Sequence, residues 1–289
     1  MIYSKCIAES WKFFGINKEG GLLALSESEV NTFLEDGFVL KKALFSKDEV
    51  NALNTVVNND PAIQEAIYGR VDASGATTEL ALWTELGNDM FSAVARSARV
   101  VNSLEQVLGG KIAFFHSKLT LKRPKTGGAW DWHQDYGYWY RNGYFFPHMA
   151  SVFLALDPSK KINGCLQVLK GSHNLGRIEH GINKDQVGAD MVRVEHAMKH
   201  FDLVEVEMDP GDTLFFHCNL LHASSKNESE QTRNVLLSCY NRADNQPFLE
   251  CSGNGHTLFE TLPDSEVMTY SNRPLDHNKN FHDGGQRDR

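Results

Sequence analysis

The stretch LVEVEMDPGDTLFFH, residues 203–217, decides the fold. Apolar and acidic residues alternate from Leu203 to Met208, which is the period of a strand with one buried and one solvated face. The segment DPGD, residues 209–212, then combines the residues that tight turns prefer, and a second apolar strand follows it. The stretch therefore predicts two strands joined by a turn, in a protein whose core is built from sheets.

The period of strands extends on both sides of this stretch. The predicted strands are Lys111–Lys122, Ala150–Leu156, Gly164–Leu169, Leu203–Met208, Thr213–Cys218 and Asn234–Asn241. Many short strands with turn residues between them, and no interleaved helices, are typical of a sandwich or barrel. We therefore predict a mainly β protein with flanking helices, whose jelly-roll, cupin-like core occupies residues 111–245.

The first 110 residues are predicted to form a mainly helical layer. Ser-x-x-Glu motifs begin at Ser26 and Ser46, and each has the form of a capping box, in which the two side chains satisfy free backbone donors at a helix start. Gly37 is well placed to end the first helix in a left-handed conformation. A longer helix is predicted from Asn88 to Leu108, where Gly109-Gly110 ends it.

The chain as a whole is predicted to form a single domain of 289 residues with a polar tail over residues 274–289. Its net charge of −8 argues against a nucleic-acid partner, because phosphate binding requires a basic face. No apolar run approaches the roughly 18 residues of a membrane span, and the N-terminus lacks the apolar core of a signal peptide. Five cysteines without a CxxC pair indicate reduced thiols in a cytoplasmic protein. The oligomeric state, monomer or homodimer, stays open.

The motif His133-Gln134-Asp135 could hold a metal ion. In a strand, residues two apart point to the same face, so His133 and Asp135 could share one ion while Gln134 points away. The third ligand must come from another strand, and His217 and His222 are the candidates. We favour His222, because it leads into a polar turn, as a residue at a barrel mouth would. Two imidazoles and one carboxylate form the facial triad of non-haem Fe(II) oxygenases.

Arg233 is a candidate for binding a cosubstrate. It follows His222 by eleven positions and is expected on the adjacent antiparallel strand. Its planar guanidinium could hold the distal carboxylate of 2-oxoglutarate with two parallel hydrogen bonds. Ser224 could add a hydroxyl to the same carboxylate. Taken alone, an arginine on a strand is more often a solvated or ion-paired surface charge.

Four segments resemble the phytanoyl-CoA dioxygenase family. They are FLEDGFVLKKALFSKDEV (residues 33–50), HQDYGYW (133–139), NGCLQVLKGSH (163–173) and GDTLFFHCNLLHASSKNESEQTR (211–233). The resemblance spreads over Ser26–Asn241, and the order of the motifs is more specific than any one of them. It implies a double-stranded β-helix, which is a jelly-roll variant, and dependence on Fe(II), 2-oxoglutarate and dioxygen.

The same resemblance assigns roles to residues. By position, His133, Asp135 and His222 match the iron ligands. Halogenating relatives lack the carboxylate ligand, so the presence of Asp135 favours hydroxylation, with release of succinate and CO2. The anchors of 2-oxoglutarate are matched by Arg233 and Ser224, and two lysines on the strand before the His-x-Asp motif could add to that pocket. These lysines are Lys118 and Lys122.

The substrate is the least determined part of the prediction. The segment Trp130–Phe146 is rich in aromatic residues, which are more often core than binding site, although some could line a pocket beside the metal. The candidate substrate residues are Trp132, Tyr136, Tyr138, Trp139, Arg141 and His148. No basic cluster suits the 3′-phosphate of CoA, so a small polar or zwitterionic metabolite, such as an amino acid, osmolyte or aminophosphonate, is preferred over an acyl-CoA or a secondary metabolite.

Two other classes of function remain possible at this point. A jelly-roll protein could keep the metal site for binding or sensing without catalysis, and the complete triad with Arg233 argues against that reading. A cupin-like metal enzyme that uses no 2-oxoglutarate, such as a thiol dioxygenase or isomerase, usually has three or more histidine ligands. The presence of Asp135 and Arg233 counts against it.

Overall fold

The structure is a computed structural model that describes residues 24–249, 255–275 and 281. Its helices are α1 Glu27–Asp36, α2 Lys47–Asn59, α3 Pro61–Ala66, α4 Met90–Arg96, α5 Ala98–Leu108, α6 Asp135–Trp139, α7 Met191–Ala197 and α8 Glu266–Thr269. The strands are β1 Phe38–Lys41, β2 Tyr68–Val71, β3 Thr77–Trp83, β4 Ile112–Lys122, β5 Trp130–His133, β6 Met149–Ala155, β7 Leu166–Leu169, β8 His180–Asn183, β9 Gln186–Ala189, β10 Leu203–Val206, β11 Thr213–His217, β12 His222–Ser224 and β13 Arg233–Arg242.

Two antiparallel sheets form the body of the fold. The large sheet has seven strands in the order β1-β11-β6-β13-β4-β3-β2, and the small sheet has four in the order β10-β7-β12-β5. A separate hairpin, β8-β9, lies beside the small sheet, where β9 contacts β5. Sheets that exchange consecutive strands in this way make a jelly roll, so the predicted fold class is confirmed.

The turn at residues 209–212 carries the chain from one sheet to the other. β10 pairs with β7 in the small sheet, whereas β11 pairs with β6 and β1 in the large sheet. The Asp212 carboxylate accepts hydrogen bonds from the backbone of Asp209 at 2.8 Å and of Ala43 at 2.9 Å. Gly211 has a φ of +93°, and a Cβ there would collide with the carbonyl of Phe45, so only glycine fits this turn.

The alternation of strand residues divides the core into two layers. Phe215 packs with α2, α4 and α5 on the outer face of the large sheet, while Phe216 faces the small sheet. The layer between the sheets includes Phe153 from β6 and Val168 from β7, both buried. Because alternate residues of each strand face the other sheet, the two sheets enclose an interior in which a site is kept away from water.

The N-terminal region contains more strand than predicted. Among its first 110 residues, β1 pairs with β11, and β3 pairs with β4, so that these segments extend both edges of the large sheet. β1 has four residues directly after α1, which is too short for its period to stand out in the sequence. The capping boxes at Ser26 and Ser46 and the left-handed Gly37 and Gly109 are confirmed.

The predicted long helix is two helices, α4 and α5, separated at Ser97. Ser97 has extended backbone angles, with φ −62° and ψ 142°. Leu262 stabilises this break through two backbone hydrogen bonds of 2.8 Å. The amide of Ala98 donates to the carbonyl of Leu262, and the amide of Leu262 donates to the carbonyl of Arg96. A contact made by a segment more than 160 residues later is not visible in the local periodicity.

The structure also describes part of the predicted polar tail and three of the five cysteines. Within the predicted polar tail, Leu275 is buried and Phe281 packs against Trp83 at a ring distance of 5.9 Å, and residues 276–280 and 282–289 lie outside the described part. Cys165, Cys218 and Cys239 are free and buried, while Cys6 and Cys251 lie outside it. No helix in the described ranges is both long and apolar enough to cross a membrane.

Candidate functional site

Three buried side chains converge between the sheets. His133 ends β5, Asp135 begins α6, and His222 begins β12 directly opposite His133 in the strand register. The Asp135 Oδ1 atom lies 3.6 Å from Nε2 of His133 and 3.7 Å from Nε2 of His222. Within the described ranges this is the one group of three potential ligands whose donor atoms all lie within 4.8 Å of one another.

The reason for this convergence differs from the one predicted. Asp135 is not on the strand of His133, because the chain bends at Gln134 and enters a helix. The buried Gln134 side chain points away from the triad, as predicted, and holds the bend by donating to the carbonyl of Asn219 at 2.9 Å and accepting from the amide of Ile178 at 2.7 Å. The bend, which these two hydrogen bonds hold in place, brings the Asp135 carboxylate close to His133.

The tautomers of both histidines suit metal binding. Nδ1 of His133 lies 2.8 Å from the carbonyl of Asp131, and Nδ1 of His222 lies 2.9 Å from the carbonyl of Leu220. A carbonyl can only accept, so Nδ1 carries the proton and Nε2 presents its lone pair to the shared space. Burial lowers the pKa of His222 to about 3. The imidazole is therefore neutral at pH 7, as a ligand must be.

Asp135 is held as an oriented carboxylate. Its Oδ2 atom accepts a hydrogen bond of 2.7 Å from the Ser151 hydroxyl on β6, which leaves Oδ1 facing the histidines. Burial by itself raises the pKa of Asp135, but the polar and charged groups around the carboxylate bring that pKa below its ordinary value. The donor set of two imidazole nitrogens and one carboxylate oxygen fits a divalent transition metal of the Fe(II) type.

An inner chamber of about 50 Å³ extends from the triad between the sheets. Its lining includes Thr78, Lys118, Thr120, Lys122, Trp130, Phe153, Leu166, Phe216, Ser224, Arg233 and Leu237. At its end, the fully buried Lys122 ammonium donates to the Ser224 hydroxyl at 2.8 Å. Burial and the charge of Arg233 lower the pKa of Lys122 well below its usual value.

Arg233 is a buried cation without a hydrogen-bonding partner. Its side chain is 2% exposed, and in the part of the chain that the structure describes no acceptor reaches its Nε and no carboxylate lies within 4.0 Å. Burial lowers its pKa to about 10, which leaves it protonated at neutral pH. Its position corrects the prediction, because β13 pairs with β4 and β6 in the large sheet rather than with the strand of His222. Arg233 and Ser224 meet across the chamber from opposite sheets.

An outer cavity of about 130 Å³ opens on the other side of the triad. Its lining includes Tyr68, Arg70, Leu80, Leu82, Phe115, His116, Lys118, Trp130, Tyr138, Trp139, Arg141, Lys184, Asp185 and Val187. A bulge in β4 opposite Cys239 and Tyr240 turns both Phe115 and His116 toward this space. The outer cavity opens directly onto the triad, because His133 and Asp135 form part of its lining.

Half of the predicted substrate residues lie at this cavity. Tyr138, Trp139 and Arg141 line it. The others point elsewhere: Trp132 packs against a small cluster around Leu169 and Leu221, Tyr136 is a core residue whose hydroxyl donates to the carbonyl of Tyr144, and His148 stacks on Phe146. His217 also lies away from the triad, where its Nδ1 accepts from the amide of Asn219 at 3.1 Å.

The sequence analysis missed several residues of the site. Ser151 was the most accessible to prediction, since it is the lone hydroxyl in the buried apolar strand MASVFLA. Tyr68 and Arg70 come from β2, a strand that was itself not predicted. Their place beside the triad depends on the pairing of β2 with β3 and β3 with β4, which is set by tertiary contacts.

Comparison with known families identifies the chain. The family model of phytanoyl-CoA dioxygenase matches residues 33–235, which is most of the sequence. The chain belongs to the phytanoyl-CoA dioxygenase family. The family resemblance predicted from four sequence segments is therefore confirmed, and the matched range includes the triad and Arg233.

Relatives with curated descriptions are enzymes of one chemical class. L-proline trans-4-hydroxylase of Streptomyces griseoviridis is 28% identical over 176 residues, which cover 55% of this chain and 66% of that protein. Ectoine dioxygenase of Bordetella parapertussis is 25% identical over 237 residues, which cover 77% of each. The predicted enzyme class, a dioxygenase dependent on iron and 2-oxoglutarate, is confirmed at the level of the family.

Solved structures of the family share the fold. The crystal structure of EctD from S. alaskensis with bound Fe superposes with a TM-score of 0.70 at 21% identity, covering 86% of this chain and 91% of that one. At this identity the likeness concerns the fold. It supports the double-stranded β-helix that the family resemblance implied.

Proposed function

We propose that this member of the phytanoyl-CoA dioxygenase family hydroxylates a C–H bond of a small polar metabolite, with His133, Asp135 and His222 as the ligands of Fe(II). The observation that carries the proposal is the geometry of the three donor atoms. Each Nδ1 is tied to a backbone carbonyl, and Asp135 is tied to Ser151, so that two Nε2 atoms and one Oδ1 face one point. Side chains held in this way lose little entropy on binding a metal.

The inner chamber fits the distal carboxylate of 2-oxoglutarate. Arg233 is buried there as a cation, and such a charge is costly unless an anion accompanies it. The unpartnered guanidinium of Arg233 and the hydroxyl of Ser224 are donors that a carboxylate could accept from. We therefore assign Arg233 and Ser224 to the cosubstrate, with Lys122 orienting the Ser224 hydroxyl.

The protein's part in the reaction is to hold and orient. Iron and 2-oxoglutarate, when bound, supply the oxidising chemistry, with dioxygen consumed and succinate and CO2 released. His133, Asp135 and His222 would hold the metal, and the outer cavity, which His133 and Asp135 line, would admit the reactants to it. Asp135 also occupies the place that a halide would need, which supports hydroxylation over halogenation.

The outer cavity supports a small substrate. Its volume of about 130 Å³ suits a compact molecule and is far too small to enclose a whole acyl-CoA. The curated relatives are named for L-proline and ectoine, which are compact metabolites. Hydroxylation of a small polar molecule is therefore favoured over the acyl-CoA alternative.

The cellular setting follows from the same proposal. Cys165, Cys218 and Cys239 are free thiols, and 2-oxoglutarate is an intracellular metabolite, so we propose a cytoplasmic location. The partner is a small molecule rather than a nucleic acid, in keeping with the net charge of −8. All residues of the proposed site come from one chain, so the proposal is compatible with either a monomer or a homodimer.

A screen of substrate-stimulated turnover tests the proposal. The purified protein is supplied with Fe(II), 2-oxoglutarate and air, and succinate is measured with and without each member of a panel of amino acids, osmolytes, aminophosphonates and acyl-CoA thioesters. We expect one of the small polar groups to stimulate succinate formation and to gain one oxygen atom by mass. Stimulation by acyl-CoA alone would refute the substrate class, and the absence of any iron-dependent succinate would refute the function.

A further inference from the structure

Two exposed histidines lie side by side at the end of α7. His196 is in the last turn of this helix, and His200 follows it by four residues. Residues at this spacing on a helix lie on the same face, one turn apart. The Nε2 atoms of the two imidazoles are 3.2 Å apart, and the ring centres are 4.8 Å apart. The pair therefore presents two nitrogen donors to one point on the surface.

The backbone beneath this pair is regular and anchored in the core. The amide of His200 donates to the carbonyl of Ala197 at 2.9 Å, so the helical turn continues beyond α7 to the second histidine. Val194 and Ala197 face inward and are buried in a small hydrophobic cluster. Because the backbone is held from below, the two imidazoles already lie close together. Binding an ion between them would therefore cost little conformational freedom.

The separation of the two nitrogens matches that of two ligands on one metal ion. Bonds from an imidazole nitrogen to Zn(II) are about 2.0–2.1 Å long, and two such bonds span 3.2 Å when they meet at roughly 100°. This angle lies between about 109° for a tetrahedral ion and about 90° for a square-planar or octahedral one. A hydrogen bond between two neutral imidazoles gives a similar contact, so a test must distinguish an ion from a shared proton.

The histidine pair is separate from the proposed iron site. Both side chains are exposed, and neither belongs to the linings of the outer cavity and the inner chamber. Over the described part of the chain, no third protein ligand joins the two imidazoles, so water would complete the coordination of an ion. Imidazole nitrogens suit transition metals, whereas Mg²⁺ and Ca²⁺ prefer oxygen ligands. The donor set therefore indicates the class of ion.

We propose that His196 and His200 form a surface site for a divalent transition metal, namely Zn(II), Ni(II) or Cu(II). Affinity for nitrogen donors rises from Fe(II) to Ni(II) and Cu(II), so this site prefers other ions over the Fe(II) proposed for the triad. The ion joins two successive turns and stabilises the C-terminal end of α7. Two linked imidazoles should bind it about 100-fold more tightly than either alone.

Zinc titration of matched variants tests the proposal. Zn(II) bound per chain is measured near neutral pH by competition with a chromophoric chelator, for the wild type, His196→Gln and His200→Gln. We expect the surface site to bind Zn(II) about 100-fold more weakly in each variant. Lys199→Gln is the control, since Lys199 is exposed between the two histidines, and it should bind Zn(II) at least as well as the wild type. The triad is intact in all four proteins, so any difference between them belongs to the surface.

Chemical protection locates the ion on the unaltered protein. Diethyl pyrocarbonate acylates imidazoles that carry no metal, and peptide mass spectrometry gives the rate at each histidine. Zn(II) should slow the modification of His196 and His200 together, at the same metal concentration. Without added zinc, His196→Gln should form succinate as the wild type does, so the proposal and the oxygenase function are tested independently. Equal zinc binding by the wild type and both variants, or unchanged modification of both histidines at saturating Zn(II), would overturn the proposal.

Discussion

At the scale of single residues, the account depends on buried groups whose partners come from outside the chain. Arg233 is the clearest of them. The residue is 2% exposed, its Nε has no acceptor among the residues that the structure describes, and such a buried charge is costly unless an anion binds to it. Lys122 and Ser224 line the same chamber as Arg233 and add further hydrogen-bond donors for an anion. We therefore propose that the inner chamber is a site for a carboxylate rather than a packing defect.

Replacing Arg233 tests the cosubstrate anchor. Arg233→Ala should weaken 2-oxoglutarate binding by about 2–5 kcal/mol, which raises the KM for 2-oxoglutarate by roughly 30-fold or more. Arg233→Lys should recover only part of this loss, because an ammonium cannot make the two parallel hydrogen bonds. Arg242→Ala is the matched control on the same strand, since Arg242 pairs with Asp244 on the surface. Unchanged 2-oxoglutarate kinetics in Arg233→Ala would mean that another cation holds the carboxylate.

Ser151 is proposed as a positioning residue for Asp135. Ser151→Ala removes the hydrogen bond to Oδ2, so Fe(II) affinity measured by titration should fall about 10- to 100-fold. Ser151→Thr keeps a hydroxyl and should restore part of the affinity. Ser117→Ala removes another buried hydroxyl, one that bonds Ser238 away from the triad, and should leave iron binding as it is. Equal iron affinity in Ser151→Ala and wild type would refute the role.

The convergence of the triad was predictable from the sequence, but only part of its surroundings was. His133, Asp135 and His222 stand at short spacing or beside a recognisable turn, so residue type and order were sufficient to select them. Ser151, which was not predicted, reaches the site from a strand whose register depends on long-range pairing. A sequence read alone cannot tell which hydroxyl of a buried strand will face a carboxylate 16 residues earlier.

At the scale of elements, the short helix α6 controls the geometry of the metal site, because Asp135 is its first residue. Gly137 lies in this helix, and a Cβ there would collide with the ring of His180. His180 cannot withdraw easily, since its Nε2 accepts from the amide of Gln134 at 2.9 Å and its Nδ1 contacts the carbonyl of Ile178 at 2.7 Å. The helix, the bend and the imidazole are therefore packed as one unit.

Replacement of Gly137 tests this unit. Gly137→Ala should displace α6, lower Fe(II) affinity at least about tenfold and destabilise the protein by roughly 1–3 kcal/mol through overpacking. Gly181→Ala is the control, since a Cβ at Gly181 meets no atom within 4 Å. Iron titration and thermal melting measure the two effects. A Gly137→Ala protein with wild-type iron affinity would show that α6 does not constrain the site.

Helix caps provide a test of local structure away from the site. Ser46→Ala removes the cap of α2 and should lower the free energy of unfolding by about 1 kcal/mol. Ser265→Ala is the matched control, because Ser265 precedes α8 without making a side-chain cap hydrogen bond. Denaturant titration of both variants gives the comparison. Equal losses would mean that the cap contributes nothing beyond the removal of a surface hydroxyl.

The elements were predicted well where the information is local and poorly where it is not. Capping boxes, left-handed glycines and long alternating strands act within a few residues, and those predictions are confirmed. The break at Ser97 depends on Leu262, and the short strands β1 and β2 acquire their identity only from the neighbours with which they pair. Tertiary pairing overrides weak local preference in these places.

At the scale of the whole molecule, buried histidines make stability depend on pH. Burial lowers the pKa of His217 to about 3 and that of His180 to about 4, whereas an unfolded histidine titrates near 6.5. Between these values the unfolded chain binds more protons than the folded one, so stability is complete above about pH 6.5 and falls as the pH drops toward 4. The melting temperature of the metal-free protein should therefore fall across this window.

A substitution checks the origin of this effect. His217→Gln keeps an acceptor for the amide of Asn219 but removes a titrating group, so its melting temperature should fall less steeply below pH 6.5. His196→Gln, at an exposed position on the surface, should keep the slope of the wild type. A melting temperature that rises between pH 6.5 and 5 would contradict the assignment of the buried histidines as neutral.

The central claim is that one face of the jelly roll holds Fe(II) through His133, Asp135 and His222 for turnover of 2-oxoglutarate. The most direct measurement is succinate formation by the wild type, His222→Ala and His217→Ala, with and without Fe(II) and 2-oxoglutarate, after thermal melting has verified that each variant is folded. We expect the wild type and His217→Ala to form succinate only when both are present, and His222→Ala to form none. Full activity in His222→Ala together with loss of activity in His217→Ala would contradict it.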